Sequence, residues 1–232
     1  SDSTILDIHG RTSDDFGIIS FKENASETVK GQIKVDASDN MIFRTGPSND
    51  KVTILSGGNV GIGTTDPSSM LHLVSSTVAK PYIIIENTNA DVNSPGLKFN
   101  KNSSSPADGD ELGNIIWLGD DDAGNSTGYA NIFATSADVT NGTEDGSLFF
   151  NTRVDDSSTT RLAIVAGNVG IGQTSPAKAL DVKGEISASG DITIMHTDGD
   201  PALFVRNSSS SQNAKIHLGE QNTTAYGVTM RY

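Results

Sequence analysis

One short segment occurs twice and constrains everything around it. Gly58-Asn59-Val60-Gly61-Ile62-Gly63-Thr64-Thr65-Asp66-Pro67 returns as Gly167-Asn168-Val169-Gly170-Ile171-Gly172-Gln173-Thr174-Ser175-Pro176, at a constant offset of 109. Only Thr64 and Asp66 are replaced. The same offset carries Leu71-His72-Leu73 onto Leu180-Asp181-Val182, and an alternating stretch precedes each copy (Val52 and Ile54, then Leu162 and Ile164). Gly61 and Gly63 permit positive φ or close backbone approach, which a Cβ would block. Val60 and Ile62 alternate with them and are expected to face one buried side. Pro67 and Pro176 fix φ and turn the chain into the next strand. The unit is strand, glycine-rich turn, proline corner, strand, and tandem units of this kind stack on their neighbours.

Weaker matches extend the repeat. Leu6-Asp7-Ile8 followed by Ile19-Ser20-Phe21 is matched by Ile83-Ile84-Ile85 with Leu97-Lys98-Phe99, and by Leu203-Phe204-Val205 with Ile216-His217-Leu218. Gly31–Val35 aligns with Gly113–Trp117 and with Gly227–Met230, and Met41–Thr45 with Leu148–Thr152. Every matched piece alternates with period two, as half-buried strands do. The alignment predicts module one at 1–78, module two at 79–200 and the beginning of a third at 201–232. A polar insertion at about 118–146 lengthens module two and is expected to project as a loop. Lys183–Asp191 reads as a connector. Copy three stops after its first strands, so the native polypeptide is expected to continue past Tyr232.

Composition agrees with many short strands. Ile and Val number 34 against 12 Leu, and β-branched side chains suit a pleated surface. Ser, Thr, Asn, Asp and Gly make up 114 of 232 residues, which favours turns over helix. Leu, Ile, Val and Phe amount to only 54, a thin supply for a conventional globular core. The prediction is therefore an all-β, elongated, repetitive segment that folds only as an oligomer. Ile54, Ile62, Leu71 and Leu73, with Ile164, Ile171, Leu180 and Val182, are expected to be buried between copies.

The two motifs with their Leu-x-Leu and Leu-x-Val strands, and the run Leu180–Asp191, resemble a motif of bacteriophage tail fibres and related virion appendages. The resemblance covers about a third of the chain. It implies an intertwined parallel homotrimer of β-prism-like modules, residence in the virion, and contact with other virion or fibre proteins. A cellular surface fibre is the alternative location. Sugar-cleaving and self-cleaving modules found in some relatives have no counterpart in these residues.

The chemistry of sites offers little to set against a structural role. A net charge of −13 would repel a phosphate backbone or an anionic membrane, which argues against nucleic acid as a partner. Runs such as Tyr82–Ile85 and Ile115–Leu118 fall far short of the roughly 20 apolar residues a spanning helix needs. The glycines of Gly58–Gly63 lead into Thr-Thr-Asp-Pro and a strand, not the helix of a dinucleotide loop, so no cofactor is expected. Asp108 and Asp110, Asp120–Asp122, and Asp198 and Asp200 are the candidates for calcium, but they lack EF-hand spacing and read as solvated loop carboxylates. His9, His72, His196 and His217 form no metal-spaced pair, and His72 is expected to point away from Leu71 and Leu73 into solvent. Catalytic residues are therefore predicted to be none. Trp117, with Tyr129 beyond the Asp cluster, is the one place for a glycan or receptor contact, although Trp117 also reads as a strand-end core residue. Six Asn-x-Ser/Thr sequons mark surface loops.

Overall fold

The computed structural model describes residues 17–189. Among them there is no helix, and the chain is all-β. It separates into two compact units between Leu97 and Lys98, rather than at Val78 as the repeat alignment predicts. The matched pieces at 6–8, 203–205, 216–218 and 227–230, together with His9, His196, His217, Asp198 and Asp200, lie outside the described residues, as does module three.

The first unit holds β1 (Gly17–Lys22), β2 (Val29–Val35), β3 (Met41–Thr45), β4 (Asn49–Ile54), β5 (Val60–Ile62) and β6 (Leu71–Leu73) in one sheet ordered as in the sequence. The second holds β7 (Glu111–Asp120), β8 (Ser126–Asp138), β9 (Asp145–Val154), β10 (Ser157–Val165), β11 (Asn168–Ile171) and β12 (Leu180–Val182), again in sequence order. In each sheet the first five strands form an antiparallel meander and the sixth lies parallel to the fifth. Short polar turns set this order, since hairpins pair consecutive strands at small loop-closure cost. Asp36, for example, accepts hydrogen bonds from the N–H groups of Ser38 and Asn40 and closes the β2–β3 turn.

The two glycine-rich motifs follow the same path. Val60 pairs with Leu71 as Val169 pairs with Leu180, and Ile62 with Leu73 as Ile171 with Val182. Upstream the equivalence shifts by one residue, because the turn from β10 to β11 is one residue shorter than that from β4 to β5. Both sheets carry a bulge at the matching place, at Lys51 and Arg161. The carbonyls of these bulge residues accept the N–H of Gly63 (3.0 Å) and Gly172 (2.9 Å). A bulge repeated at one position is a built feature of the unit.

The register also revises the alignment of the modules. Through the pairings, β7 stands where β1 stands and β8 where β2 stands, so Gly113–Trp117 is the counterpart of Gly17–Phe21, not of Gly31–Val35. The polar stretch at 118–146 is no projecting insertion: it supplies β8, an interior strand bonded on both sides. Its alternation is masked by small residues, since Ala130 and Ala134 occupy the positions of Gly31 and Val35. Ile83–Ile85 and Leu97–Phe99, expected as strands, lie outside the sheets and are exposed. A strand exists only where a neighbour takes its N–H and C=O groups, and no described strand pairs with either segment.

Candidate functional site

The glycine-rich arch is the most closely built element of each unit. Between β5 and β6 the chain crosses over in eight residues, 63–70, lying flat against one face of the sheet. Gly61 makes that possible: a Cβ there would stand 2.5 Å from the carbonyl oxygen of Thr64, and at Gly170 2.6 Å from that of Gln173. Gly63 has φ +79°, and its N–H reaches back to the bulge. Asn59 Nδ2 donates to the Pro67 carbonyl (3.1 Å), and Asn168 Nδ2 to that of Pro176 (3.3 Å). This clamp ties the start of β5 to the proline corner. Sequence reasoning passed over these asparagines, although their place in both copies was the available signal.

The arch covers the face that carries Ile42, Thr53 and Gly61 in the first unit and Phe149, Ala163 and Gly170 in the second. Thr53 and Ala163 are the most enclosed residues there, at 2% and 0% exposure. Ser20, Gln32, Arg44 and Asp50 form a hydrogen-bonded row on this face of the first sheet, with Phe133 stacked on Phe149 at 4.8 Å on the second. Hydrogen bonding to the Arg44 guanidinium lowers the carboxyl pKa of Asp50 below its ordinary value.

The opposite face is apolar and open, except at Gly113, where the Phe99 side chain lies 2.7 Å from the position a Cβ would take. Reading the pairings across the first sheet, Ile19, Ile33, Phe43, Val52, Ile62 and Leu73 stand side by side on all six strands. A second row runs Gly17, Val35, Met41, Ile54, Val60 and Leu71. In the second sheet the rows are Ile115, Ile132, Phe150, Leu162, Ile171 and Val182, and Gly113, Ala134, Leu148, Ile164, Val169 and Leu180. Phe21 with Gly31, and Trp117 with Ala130, begin a third row at the matching end. All eight residues expected on a common buried side lie on this face, but the chain itself does not bury them. Ile62 and Ile171 are 44% and 42% exposed, and Leu71 and Leu180 more so. A contiguous apolar sheet face left open marks a place of contact.

The other candidates resolve into local structure. Asp121 closes the β7–β8 turn, accepting the N–H (2.8 Å) and side-chain amide of Asn125 and the N–H of Ala123 (2.9 Å), and these bonds, those from Asn125 foremost, lower its pKa. Asp110 holds Lys101 at 2.7 Å and accepts the Ala107 N–H, while Asp108 accepts the Val139 N–H. Among the described residues no three His, Asp or Glu side chains converge as metal ligands do. His72 is half-buried on the arch side, where its Nδ1 accepts the Ser68 N–H (3.3 Å); Asp181 plays the same part toward the Ala177 N–H (3.0 Å). It does face away from Leu71 and Leu73, but into the arch rather than solvent. Trp117 is half exposed at the end of the open face, so it does not close a core within the chain. A bulge in β8 brings Tyr129 beside Gly119, two residues beyond Trp117. No helix among the described residues is long and apolar enough to cross a membrane.

No family model and no curated protein sequence matches the chain.

Proposed function

We propose that this chain is a shaft segment of a virion fibre or tail appendage, a homo-oligomer whose work is mechanical reach and spacing in support of host attachment. The observation that carries the reading is the repetition itself: two units with one strand order, one arch and one open apolar face. Repeated units that each need a covering surface are the ingredients of a stacked, multi-chain rod. The trimeric state, the virion as location and other fibre proteins as neighbours rest on the resemblance of the Gly58–Pro67 and Gly167–Pro176 motifs. Electron microscopy of the purified chain, with light scattering, tests the proposal. Rod-shaped particles of three-chain mass are expected; compact monomers would refute it.

A second reading follows from Trp117, whose half-exposed ring stands beside Ala130 and Thr152. An aromatic platform there would suit a glycan or receptor contact. Glycan-array binding lost in Trp117→Ala, with assembly retained, would favour an adhesin over a shaft. Release of reducing ends from host polysaccharide would favour a tailspike-like enzyme over both.

A further inference from the structure

We infer that the Trp117 end of the second sheet is a subsite for an acidic saccharide, with Trp117 carrying the sugar ring and Arg161 holding its carboxylate. The inference rests on the second reading above, for which it names the ligand class, and takes nothing from the shaft reading. Only β7 to β10 reach this margin of the sheet, because β11 ends at Ile171, opposite Leu162. Beyond the two complete rows, Trp117, Ala130 and Thr152 stand in a shorter third row on the open face. With Ile132 and Phe150 of the neighbouring row they line a shallow hollow of about 420 Å³. Small-ligand sites span roughly 300–1,000 Å³. Ala130 makes the hollow, since a larger side chain between the Trp117 ring and Thr152 would fill it.

The cation is placed by the bulge in β10. Thr160 lies opposite Asn151 on the arch side and Leu162 opposite Phe150 on the open side, so Arg161 is the extra residue between them. A bulge re-aims a side chain. This one brings the Arg161 guanidinium to the open side, where Nε donates to Thr152 Oγ1 at 2.8 Å. That bond uses one of five N–H donors. Among the described residues Arg44 and Arg153 each hold an aspartate, Asp50 and Asp156, whereas Arg161 holds none. In a chain of net charge −13 it is a local positive site, and its planar fork matches a carboxylate.

The first unit has the same order of residue types: Phe21, Gly31, Thr45 and, in its own bulge, Lys51. An aromatic ring and a cation set across a small residue in both units form a built feature. Only the second unit has the larger ring and the fork.

The shape of the hollow selects a sugar. Apart from the Thr152 hydroxyl, the side chains facing it are apolar, and its other side is open to water. A bound group must turn C–H bonds toward Trp117, Ile132 and Phe150 and keep its polar groups outward. A pyranose lying flat on an aromatic face does both. Trp117 and Arg161 stand three strand spacings apart, about 14 Å between backbones, which leaves room for a ring between the two side chains. A neutral sugar leaves the guanidinium unused; a carboxylate on the ring meets it with charge-assisted hydrogen bonds.

Trp117 is the chain's only tryptophan, so its fluorescence reports occupancy of this hollow. Oligosaccharides of glucuronate, galacturonate and sialate are titrated into the full chain, each beside its methyl ester, which keeps the ring and removes the charge. At least one acid is expected to bind about tenfold more tightly than its ester, the size expected of a charge-assisted pair. Arg161→Gln should bring acid and ester to equal affinity and leave that of the ester unchanged. Lys51→Gln alters net charge by the same amount and should keep the preference. Acid and ester binding alike in the parent chain, or an acid preference that survives Arg161→Gln, would overturn the inference and leave the glycan reading standing. Equal losses in Arg161→Gln and Lys51→Gln would overturn it too, since a general charge effect would account for them. No response of Trp117 to any of these sugars would also sink it; only an empty glycan array would remove the second reading as well.

Discussion

Gly61→Ala is the sharpest perturbation of the arch. A Cβ at position 61 would sit 2.5 Å from the Thr64 carbonyl oxygen, 3.0 Å from Thr64 Cγ2 and 3.4 Å from Pro67 Cδ. A comfortable carbon–oxygen contact needs about 0.7 Å more, and the opposing atom is backbone, so the crossover itself must lift. Lifting it strains the Gly63 bond to the Lys51 carbonyl and the Asn59 clamp together. Overpacking of a fitted site costs about 1–3 kcal/mol, and the arch has no flexible side chain to yield, so about 2 kcal/mol is expected. For a cooperative unit of this size that is a fall in Tm of roughly 10 °C. Gly57→Ala is the control, because nothing lies within 4 Å of its Cβ and its φ is ordinary. Thermal unfolding followed by circular dichroism, at one fixed chain concentration, compares the two. Gly170→Ala should repeat the effect in the second unit, where the Gln173 oxygen stands at 2.6 Å. If Gly61→Ala unfolds with Gly57→Ala, the arch is pliable and the close-approach account of the glycine is wrong.

Removing the clamp donor in Asn59→Ala or Asn168→Ala leaves a half-buried proline-corner carbonyl without its partner and should cost about 1 kcal/mol each, read as a shift in urea midpoint. Asp50 has a folded-state pKa below its unfolded value, so the Arg44 pair adds stability above the unfolded pKa of about 3.9, which is lost as pH falls through the lower folded value. Asp50→Asn should lower stability at pH 7 and remove that part of the acid dependence, measured by unfolding at pH 7 and pH 3. Deleting 118–146 removes β8 and should abolish the second sheet, seen as loss of one unfolding transition or of soluble protein; a stable assembly after deletion would show that β7 can pair with β9 directly.

Much of the architecture was open to reading in the chain. Period-two alternation, β-branched side chains and turn residues are local signals, and they account for Met41–Thr45, Leu148–Thr152 and both glycine-rich motifs as strands and corners. Duplication added that Gly58–Leu73 and Gly167–Val182 share a path, since identical local sequence under identical neighbours folds alike. The assignment of Ile54, Ile62, Leu71 and their counterparts to one side followed from the same alternation. Pairing order is a different matter. Gly113–Trp117 alternates as well as β1 or β2 does, so pattern alone could not say which it replaces; hydrogen-bond register across β8 decided it. Ser126–Asp138 carries too many small and polar residues to announce an interior strand, and becomes one because β7 and β9 hold both of its edges. Ile83–Ile85 has the opposite history, strand-like in composition yet without a neighbour. The close approach at Gly61, the bulges at Lys51 and Arg161 and the asparagine clamp depend on atoms brought together across strands. Sequence spacing carries the strands, but only the tertiary ladder carries which edges meet and which face remains uncovered, because a backbone hydrogen bond needs a partner that local pattern does not name.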